Sequence, residues 1–235
     1  MPVTEDARLV LYGMTSPNVR KIVLMLEELE APYALRKVKV FGGEQFGPAF
    51  RALNPLSKVP VLVDRGQGDY PVFESGAILI YLAETFGRLL PAAGRPRYET
   101  LKWLFAQTSN VGPMLGQYNH FRVMGEASAP AAYDRYRGIS ARIYHLLDER
   151  LGDRPYLAGD DYSIADIATY HWAGYVDVHE MDWADFPNLA RWRGAIGERP
   201  AARREAKVRE LLTYDAPDSL QSASQADLDR FWWRD

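Results

Sequence analysis

Apolar and polar residues in the first part of the chain follow two spacings, one typical of strands and one typical of helices. Residues 8–12 are mostly apolar, and residues 33–40 alternate apolar side chains with basic ones, as half-buried strands do. Residues 21–29 lie between them and repeat apolar side chains at helical spacing. The apolar face of this helix consists of Ile22, Met25, Leu26 and Leu29. This order predicts a βαβ unit.

The residues that follow predict two more strands and a helix. Residues 48–58 indicate a short helix or a loop before the compact apolar strand at 59–64. Residues 65–70 contain two glycines and predict a hairpin turn, after which 72–73 form the returning strand and 75–86 a helix. Parallel and antiparallel strands then share one sheet, so we predict an α/β fold with a mixed four-stranded sheet covered by helices.

The second half of the chain has few strand signals and follows helical spacing. Residues 87–97 are rich in glycine and proline and predict a linker. Helical spacing continues through 101–111, and the Gly-Pro pair at 112–113 predicts a kink because proline lacks a backbone donor. Ser163 stands three residues before Asp166, a capping-box pattern that predicts the start of a buried helix. Two further apolar helix faces consist of Tyr136, Ile139, Ile143, Leu146 and Leu147, and of Leu189, Trp192 and Ile196.

These elements predict two domains and a tail. We place the α/β domain at 8–88, an all-helical domain at 98–210 and a C-terminal extension at 211–235. The extension begins as a polar segment and ends in Phe231-Trp232-Trp233. Because three adjacent aromatic side chains are seldom left in water, we expect this cluster to dock on another part of the chain.

Composition narrows the classes of partner. The 235 residues are 47% hydrophobic and carry a net charge of -3, which offers no basic field for a phosphate backbone and argues against nucleic acid. The longest apolar run, 77–83, is far too short to span a bilayer, and the amino terminus has acidic residues where a secretory signal needs basic ones. We therefore expect a cytoplasmic protein with a small-molecule substrate and no membrane partner.

The chain contains no cysteine, which excludes disulfides, thiolate metal sites and any redox relay through the protein's own sulfur. A thiol reaction would need a thiol from another molecule. The sequence also lacks a G-x-S-x-G motif, and its histidines have no metal-ligand spacing with carboxylate partners, so we predict neither a serine hydrolase nor a metal site. The histidines are His120, His145, His171 and His179.

Three turns of the α/β region combine residues that can bind a small peptide, although each also has a simpler structural explanation. Ser-Pro-Asn at 16–18 is a common helix start, with serine as the cap and proline in the first turn. Val-Pro at 59–60 could protect a strand edge, whereas a cis bond would turn the valine N–H and C=O out of the sheet toward a ligand. Glu-Ser at 74–75 is either a plain cap or a helix start whose N–H groups bind a carboxylate.

Over residues 8–210 the sequence resembles the cytosolic glutathione transferases. It is most similar to the bacterial nu-class branch, whose members include glutathione-dependent disulfide-bond oxidoreductases. The resemblance implies a thioredoxin-like N-terminal domain, an all-helical C-terminal domain, a homodimer, and glutathione as co-substrate. The matching stretches are SPN at 16–18, GGEQF at 42–46, NPLSKVPVLVD at 54–64, FESGAILIYLAE at 73–84, VGPMLGQYNHF at 111–121 and YSIADIA at 162–168.

The resemblance also implies which residues hold glutathione. Glu74 and Ser75 match the pair that binds the γ-glutamyl end, with Ser75 on the carboxylate and Glu74 near the amino group. Val59 matches the residue whose backbone pairs with the cysteinyl unit ahead of a cis proline. Gln45 and Lys58 match polar positions near the peptide, and Lys58 suits the glycyl carboxylate.

Four more positions follow from the resemblance. Asn18 matches the residue that faces the glutathione sulfur, and Ser16 falls where relatives usually have threonine. Val19 stands where relatives commonly have glycine. Arg135 matches a helical-domain arginine that can reach glutathione, and its simpler explanation is a solvated helix charge.

A site of this kind must ionise the borrowed thiol, whose unperturbed pKa is about 8.5. Lowering that pKa by about two units requires the site to stabilise the thiolate over the thiol by about 2.7 kcal/mol. A hydrogen bond to a charged group contributes about 1.5 to 3 kcal/mol. Two donors aimed at the sulfur therefore suffice. The Asn18 amide, the Ser16 hydroxyl and the first N–H groups of the helix can supply them, with a smaller contribution from the helix dipole.

The nu-class resemblance favours thiol–disulfide exchange, in which the bound thiolate attacks a disulfide and a second glutathione resolves the mixed disulfide. Conjugation to an electrophilic carbon is the alternative reaction, and a non-enzymatic glutathione-binding or interaction module is the alternative function. Part of the stretch 111–121 is expected to form the second-substrate pocket, unless its aromatic residues belong to the core. The candidates are Tyr118, Asn119, His120 and Phe121.

Overall fold

The structure, a computed structural model, describes residues 4–213 and 220–232. The chain divides into two compact units, one with the residues up to Leu82 together with those from Ala201 onward, and one formed by Ala83–Pro200. The domain limits proposed from the sequence stay predictions.

The strands are β1 (Leu9–Gly13), β2 (Tyr33–Lys37), β3 (Val61–Asp64) and β4 (Tyr70–Phe73). The helices are α1 (Pro17–Leu29), α2 (Pro48–Leu53), α3 (Ser75–Phe86), α4 (Gly94–Ala106), α5 (Gly112–Met124), α6 (Pro130–Arg150), α7 (Ile164–Tyr170), α8 (Pro187–Gly197), α9 (Pro200–Leu212) and α10 (Gln225–Phe231).

The first unit contains the predicted mixed sheet. Its strand order is β2-β1-β3-β4, with β1 parallel to β2 and antiparallel to β3, and β3 antiparallel to β4. This arrangement confirms the βαβ then ββα reading of a thioredoxin-like domain.

Several predicted strand limits were wrong. The strand predicted at 33–40 ends at Lys37, because its partner β1 ends opposite at Gly13, and Val40–Gly42 is a short 3-10 turn. The strand predicted at 59–64 pairs only from Val61. β4 already begins at Tyr70, opposite Asp64, inside the predicted turn.

Helix α9 lies against α1 within the first unit through two ion pairs. Arg20 Nε and Nη2 donate to Glu205 Oε1 and Oε2 at 2.8 and 2.9 Å. Arg204 Nε donates to Glu27 Oε2 at 2.6 Å, and its Nη2 donates to the Glu27 carbonyl at 2.6 Å. The Tyr33 hydroxyl donates to the other Glu27 oxygen at 3.1 Å. Glu27 is therefore a buried carboxylate whose two oxygens are both paired.

The second unit is helical, as the residue spacing predicts. Between α4 and α5 the backbone forms a π-helical turn at Gln107–Val111, in which the Gly112 N–H bonds to the Gln107 carbonyl. This wider turn accommodates Pro113, which cannot donate, where the sequence predicted a kink. The capping box is confirmed, since Ser163 N–H and Oγ both bond to Asp166 Oδ2 at 3.0 Å. Burial raises the pKa of the Asp166 carboxyl, while its hydrogen bonds oppose that rise.

The aromatic tail docks within the first unit, as far as it is described. The Phe231 ring lies 5.0 Å from the Phe41 ring and 4.6 Å from that of Trp232. Trp233 lies outside the described residues. Among residues 4–213 and 220–232, no helix has both the length and the apolar character needed to cross a bilayer.

Candidate functional site

The pairing register brings four separate segments to one end of the sheet. Tyr12 lies opposite Val61, which lies opposite Phe73, so the chain leaves β1, enters β3 and leaves β4 at the same end. Gly13 lies opposite Lys37 in the parallel pair, so the chain leaves β2 there as well. The segments at this end are residues 14–18, 38–47, 57–60 and 74–76. They carry Ser16, Asn18, Gln45, Lys58, Val59, Glu74 and Ser75, which are all the N-terminal candidates.

Ser16 caps the N-terminus of α1, as expected for a common helix start. Its Oγ accepts from the Val19 N–H at 3.3 Å, and Pro17 follows in the first turn. This bond uses a lone pair of the hydroxyl and leaves its hydrogen able to donate. The first turn of α1 contains no acidic residue, so no carboxylate of the turn itself opposes a negative charge there.

The first turn of α1 has fewer available N–H donors than the sequence implied. Pro17 has no N–H, and the Val19 N–H already bonds to Ser16. The side chains of Ser16 and Asn18 therefore become the main candidates to face an anion. Asn18 is half-buried, so its amide is near the surface of the unit.

Val19 fits the turn because of a glycine on β1. The valine side chain is fully buried, and a Cβ placed on Gly13 would lie only 2.5 Å from Val19 Cγ1. The space beside Gly13 thus accepts the valine that replaces the relatives' glycine. Val19 lies inside α1 with no positive φ, so its backbone needs no glycine.

Glu74 adopts a left-handed backbone at the start of α3, with φ of 66°. Such a conformation in a residue other than glycine costs about 1 to 3 kcal/mol and often occurs at ligand sites. The Glu74 carbonyl accepts from the Ile78 N–H at 2.9 Å, so Glu74 caps the helix and Ser75 is its first residue. The N–H groups at this start point out of the helix, where an anion can accept them.

The Val59–Pro60 peptide bond is cis, as the resemblance implies. Val59 lies outside the paired residues of β3, which begin at Val61. The carbonyl of the preceding Lys58 accepts from Asn54 Nδ2 at 2.7 Å, and Asn54 is itself buried. Asn54 was not predicted from the sequence, although it begins the matching stretch at 54–64.

Gln45 and Lys58 have opposite exposures. Lys58 is exposed, as a residue that meets a carboxylate at a pocket rim would be. Gln45 is only 2% exposed, and its Oε1 is buried without a hydrogen-bond partner within the part of the chain that the structure describes. A buried amide oxygen of this kind needs a donor, because leaving it unpaired costs about 1 to 3 kcal/mol. An amide N–H of a bound peptide would provide one.

Lys21 is a buried amine near Glu74 that sequence reasoning missed. It lies on α1, and its burial lowers the pKa of its amine to about 7, while the charge of Glu74 opposes this shift. Helical spacing did not predict the burial of Lys21, because Lys21 lies outside the predicted apolar face. The helix is in fact buried on most of its sides.

We expect Lys21→Met to remove a pH-dependent part of the stability. The unfolded chain keeps the Lys21 proton up to the ordinary pKa of 10.5, whereas the folded chain releases it near 7. The unfolded state thus binds more protons between these values, so this group makes the free energy of unfolding rise with pH, by up to about 1.4 kcal/mol per pH unit. Urea unfolding between about pH 7 and about pH 9 measures the slope.

The matched control is Lys207→Met, which removes an exposed lysine of α9 and is expected to keep the wild-type slope. If Lys21→Met and wild type respond identically to pH, Lys21 is not a titrating buried amine.

The candidates of the second unit differ in burial. Tyr118 is fully buried, with its ring 4.9 Å from that of His179. This burial favours a place in the core for its ring over a place in the second-substrate pocket. Asn119, His120 and Phe121 are half-buried. Arg135 is exposed on α6, and its role stays a prediction.

His179 fixes the orientation of Asn119. Its Nε2 lies 3.2 Å from Asn119 Oδ1, and its Nδ1 lies 2.7 Å from the Tyr144 hydroxyl. Burial, with a smaller effect of Arg122, lowers the pKa of His179 to about 4, so the ring is neutral at pH 7. Since Asn119 Oδ1 can only accept, Nε2–H donates to it and the Tyr144 O–H donates to Nδ1. Nothing in the sequence beyond the residue type indicated a role for this histidine.

Comparison with known proteins identifies the family. Residues 15–85 match the family model of the glutathione S-transferase N-terminal domain, and residues 111–200 match that of the C-terminal domain. Disulfide-bond oxidoreductase YfcG of Escherichia coli strain K12 is 43% identical over 213 residues, which cover 89% of this chain and 99% of that protein. The chain belongs to the glutathione S-transferase family, which confirms the predicted resemblance.

Solved structures of glutathione transferases are similar to this chain as well. A glutathione transferase of Pseudomonas putida with one glutathione disulfide bound per subunit has 35% identity and a TM-score of 0.79, with 88% of this chain and 94% of that chain covered. A glutathione transferase of Burkholderia graminis with two glutathione molecules bound per subunit has 39% identity and a TM-score of 0.80, with 87% and 89% covered. Among residues 4–213 and 220–232 the structure contains no cluster of three or more side chains that could hold a metal ion.

Proposed function

We propose that this protein binds glutathione at the end of its sheet and uses the glutathione thiolate to reduce disulfides. The observation that carries the proposal is the register of the sheet, which brings the four candidate segments to one end. The left-handed Glu74 and Gln45, whose Oε1 has no partner among the described residues, lie on two of these segments, and both are features that a bound peptide would explain.

Each part of glutathione has a suitable partner in this proposal. The γ-glutamyl carboxylate meets the hydroxyl and N–H of Ser75, and its amino group meets Glu74. The cysteinyl backbone pairs with Val59. The glycyl end lies toward Lys58, and an amide N–H of the peptide satisfies Gln45. Arg135 is a further candidate on the helical unit.

The proposed reaction has two steps. The thiolate, stabilised by Asn18 and Ser16, attacks one sulfur of the substrate disulfide, and the other sulfur leaves as a thiolate. A second glutathione thiolate then attacks the mixed disulfide at the glutathione sulfur and releases the remaining substrate thiolate. Two glutathiones thus supply two electrons and leave as glutathione disulfide. Relatives with glutathione disulfide or with two glutathiones bound per subunit are consistent with this sequence of steps.

An assay that compares two co-substrates tests the function. Purified protein with glutathione and 2-hydroxyethyl disulfide is expected to turn over faster than with glutathione and a chloronitrobenzene. Faster reaction with the chloronitrobenzene would favour the conjugating transferase. Retention on immobilised glutathione without turnover of either compound would favour a binding module.

Location and assembly complete the proposal. We place the protein in the cytoplasm, where the glutathione pool is kept reduced and can supply the electrons. We also propose a homodimer, as is common in the family. Exposed apolar side chains on α4 and α6, among them Phe105 and Leu146, are consistent with a surface that a second copy covers.

A further inference from the structure

The C-terminal segment lies against two of the segments that carry candidate glutathione residues. At the end of α9, the Leu212 carbonyl accepts from the Thr15 N–H at 3.1 Å, directly before Ser16. The Thr213 carbonyl accepts from Lys37 Nζ at 2.8 Å, where the chain leaves β2. Helix α10 then packs on the turn at Val40–Gly42. This segment is therefore part of the same unit as the site.

The contact of α10 is centred on one aromatic pair. Phe231 lies with its ring 5.0 Å from that of Phe41, which is buried. On the same side of α10, Arg230 and Asp227 also lie beside Gly43, where a Cβ would be in ordinary contact with Arg230 Nη1 at 3.4 Å and with Asp227 Oδ1 at 4.0 Å. Gly43 has a φ of 77°, so the turn favours glycine for its backbone conformation.

Helix α10 contacts the first of two consecutive 3-10 turns, Val40–Gly42 and Glu44–Phe46, and the Gly43 that joins them. The two turns lie beyond the end of β2 and gain no strand pairing of their own. A hydrogen bond from the Lys39 N–H to Glu44 Oε2, at 2.7 Å, joins the residue before the first turn to the start of the second. Gln45 lies in this second turn, four residues after Phe41, so the two turns connect the α10 contact to the Gln45 amide along the chain.

We propose that α10 is a clamp that holds residues 40–46 in the conformation that binds glutathione, with Phe231 as its positioning residue. The inference rests on the proposed function and adds a residue far along the chain to the determinants of glutathione affinity. Phe231 acts through Phe41 and Gln45 and does not touch the reacting sulfur. Loosening it should therefore weaken glutathione binding and leave the chemical step unchanged, because the donors Asn18 and Ser16 lie on another segment.

Steady-state kinetics of full-length variants test the clamp. Phe231→Ala is expected to raise KM for glutathione about tenfold, with kcat within about twofold of wild type, since an aromatic pair and its buried area are lost. Phe231→Tyr keeps the ring and is expected to restore the wild-type KM. The matched control is Gln225→Ala, because Gln225 is exposed on α10 and bonds only within it in the described contacts, to Asp229 at 2.8 Å.

Hydrogen–deuterium exchange without glutathione gives a second readout. Amides of residues 40–46 are expected to exchange faster in Phe231→Ala than in Gln225→Ala, while those of β1 and β3 stay unchanged. An unchanged KM in Phe231→Ala, or a fall in kcat at unchanged KM, would overturn the clamp even if wild type reduces disulfides. If wild type binds no glutathione at all, the proposed function fails and this inference fails with it.

Discussion

Replacing Asn18 with alanine is expected to slow disulfide reduction about ten- to a hundredfold at neutral pH. The variant lacks the side chain that we propose as a donor to the glutathione thiolate, and a hydrogen bond to a charged group is worth about 1.5 to 3 kcal/mol. The pKa of the bound thiol should therefore rise by about one to two units. Because the thiolate is the reacting species, the rise of kcat with pH should move to higher pH, and the variant should recover much of its rate in alkali.

The pH profile of kcat and the ultraviolet absorbance of the bound thiolate measure this shift. Ser16→Ala is the comparison, because it removes the other donor and also the cap of α1, which costs about 1 kcal/mol of stability. Asn18→Ala should show the catalytic shift without the loss of the cap. If its profile coincides with that of wild type, Asn18 does not face the sulfur.

Replacing Arg204 with alanine is expected to lower the free energy of unfolding by about 3 to 5 kcal/mol. The change leaves Glu27 buried, at 0% exposure, and among the described residues only the Tyr33 hydroxyl stays as a side-chain partner. Removing the partner of a buried carboxylate is costly because the remaining charge has lost its solvation. Burial and the charge of Glu27 raise the pKa of Tyr33, so its phenol stays protonated as a donor but supplies no positive charge.

Chemical denaturation monitored by circular dichroism measures the loss. Arg154→Ala is the matched control, since Arg154 also donates two hydrogen bonds to one acidic residue, at 2.6 and 2.8 Å, but to the carboxylate of the exposed Asp153. The control is expected to unfold at the wild-type denaturant concentration, because exposed ion pairs contribute little. Equal behaviour of the two variants would mean that the Arg204–Glu27 pair is not buried in solution.

Structural features that depend on residues close together in the sequence, such as helix caps, could be predicted. The capping box of Ser163 and Asp166 depends on a three-residue spacing, and Ser16 caps α1 for the same local reason. Strand and helix types followed from spacing, whereas strand ends were missed. The end of β2 at Lys37 depends on where β1 stops, which spacing within β2 does not report.

The candidate site could be predicted only in part. The resemblance named Gln45, but it did not indicate that the amide would be buried with an oxygen that has no partner in the described part of the chain. Asn54, Lys21 and His179 were missed, because asparagine, lysine and histidine occur in many settings and only packing shows which of them are enclosed. The place of Tyr118 in the core depends likewise on its neighbours across the unit.

By itself, the sequence determined the local geometry and the chemistry that is available. Residue spacing specifies strands and helices, caps specify where helices begin, and the lack of cysteine means that any reacting thiol must come from another molecule. Tertiary structure alone decided which distant residues meet. Arg204 pairs with Glu27 across 177 positions, and α10 packs on Val40–Gly42 from the far end of the chain. The physical reason is that spacing reports only contacts within one or two turns, whereas such pairs form where the fold excludes water.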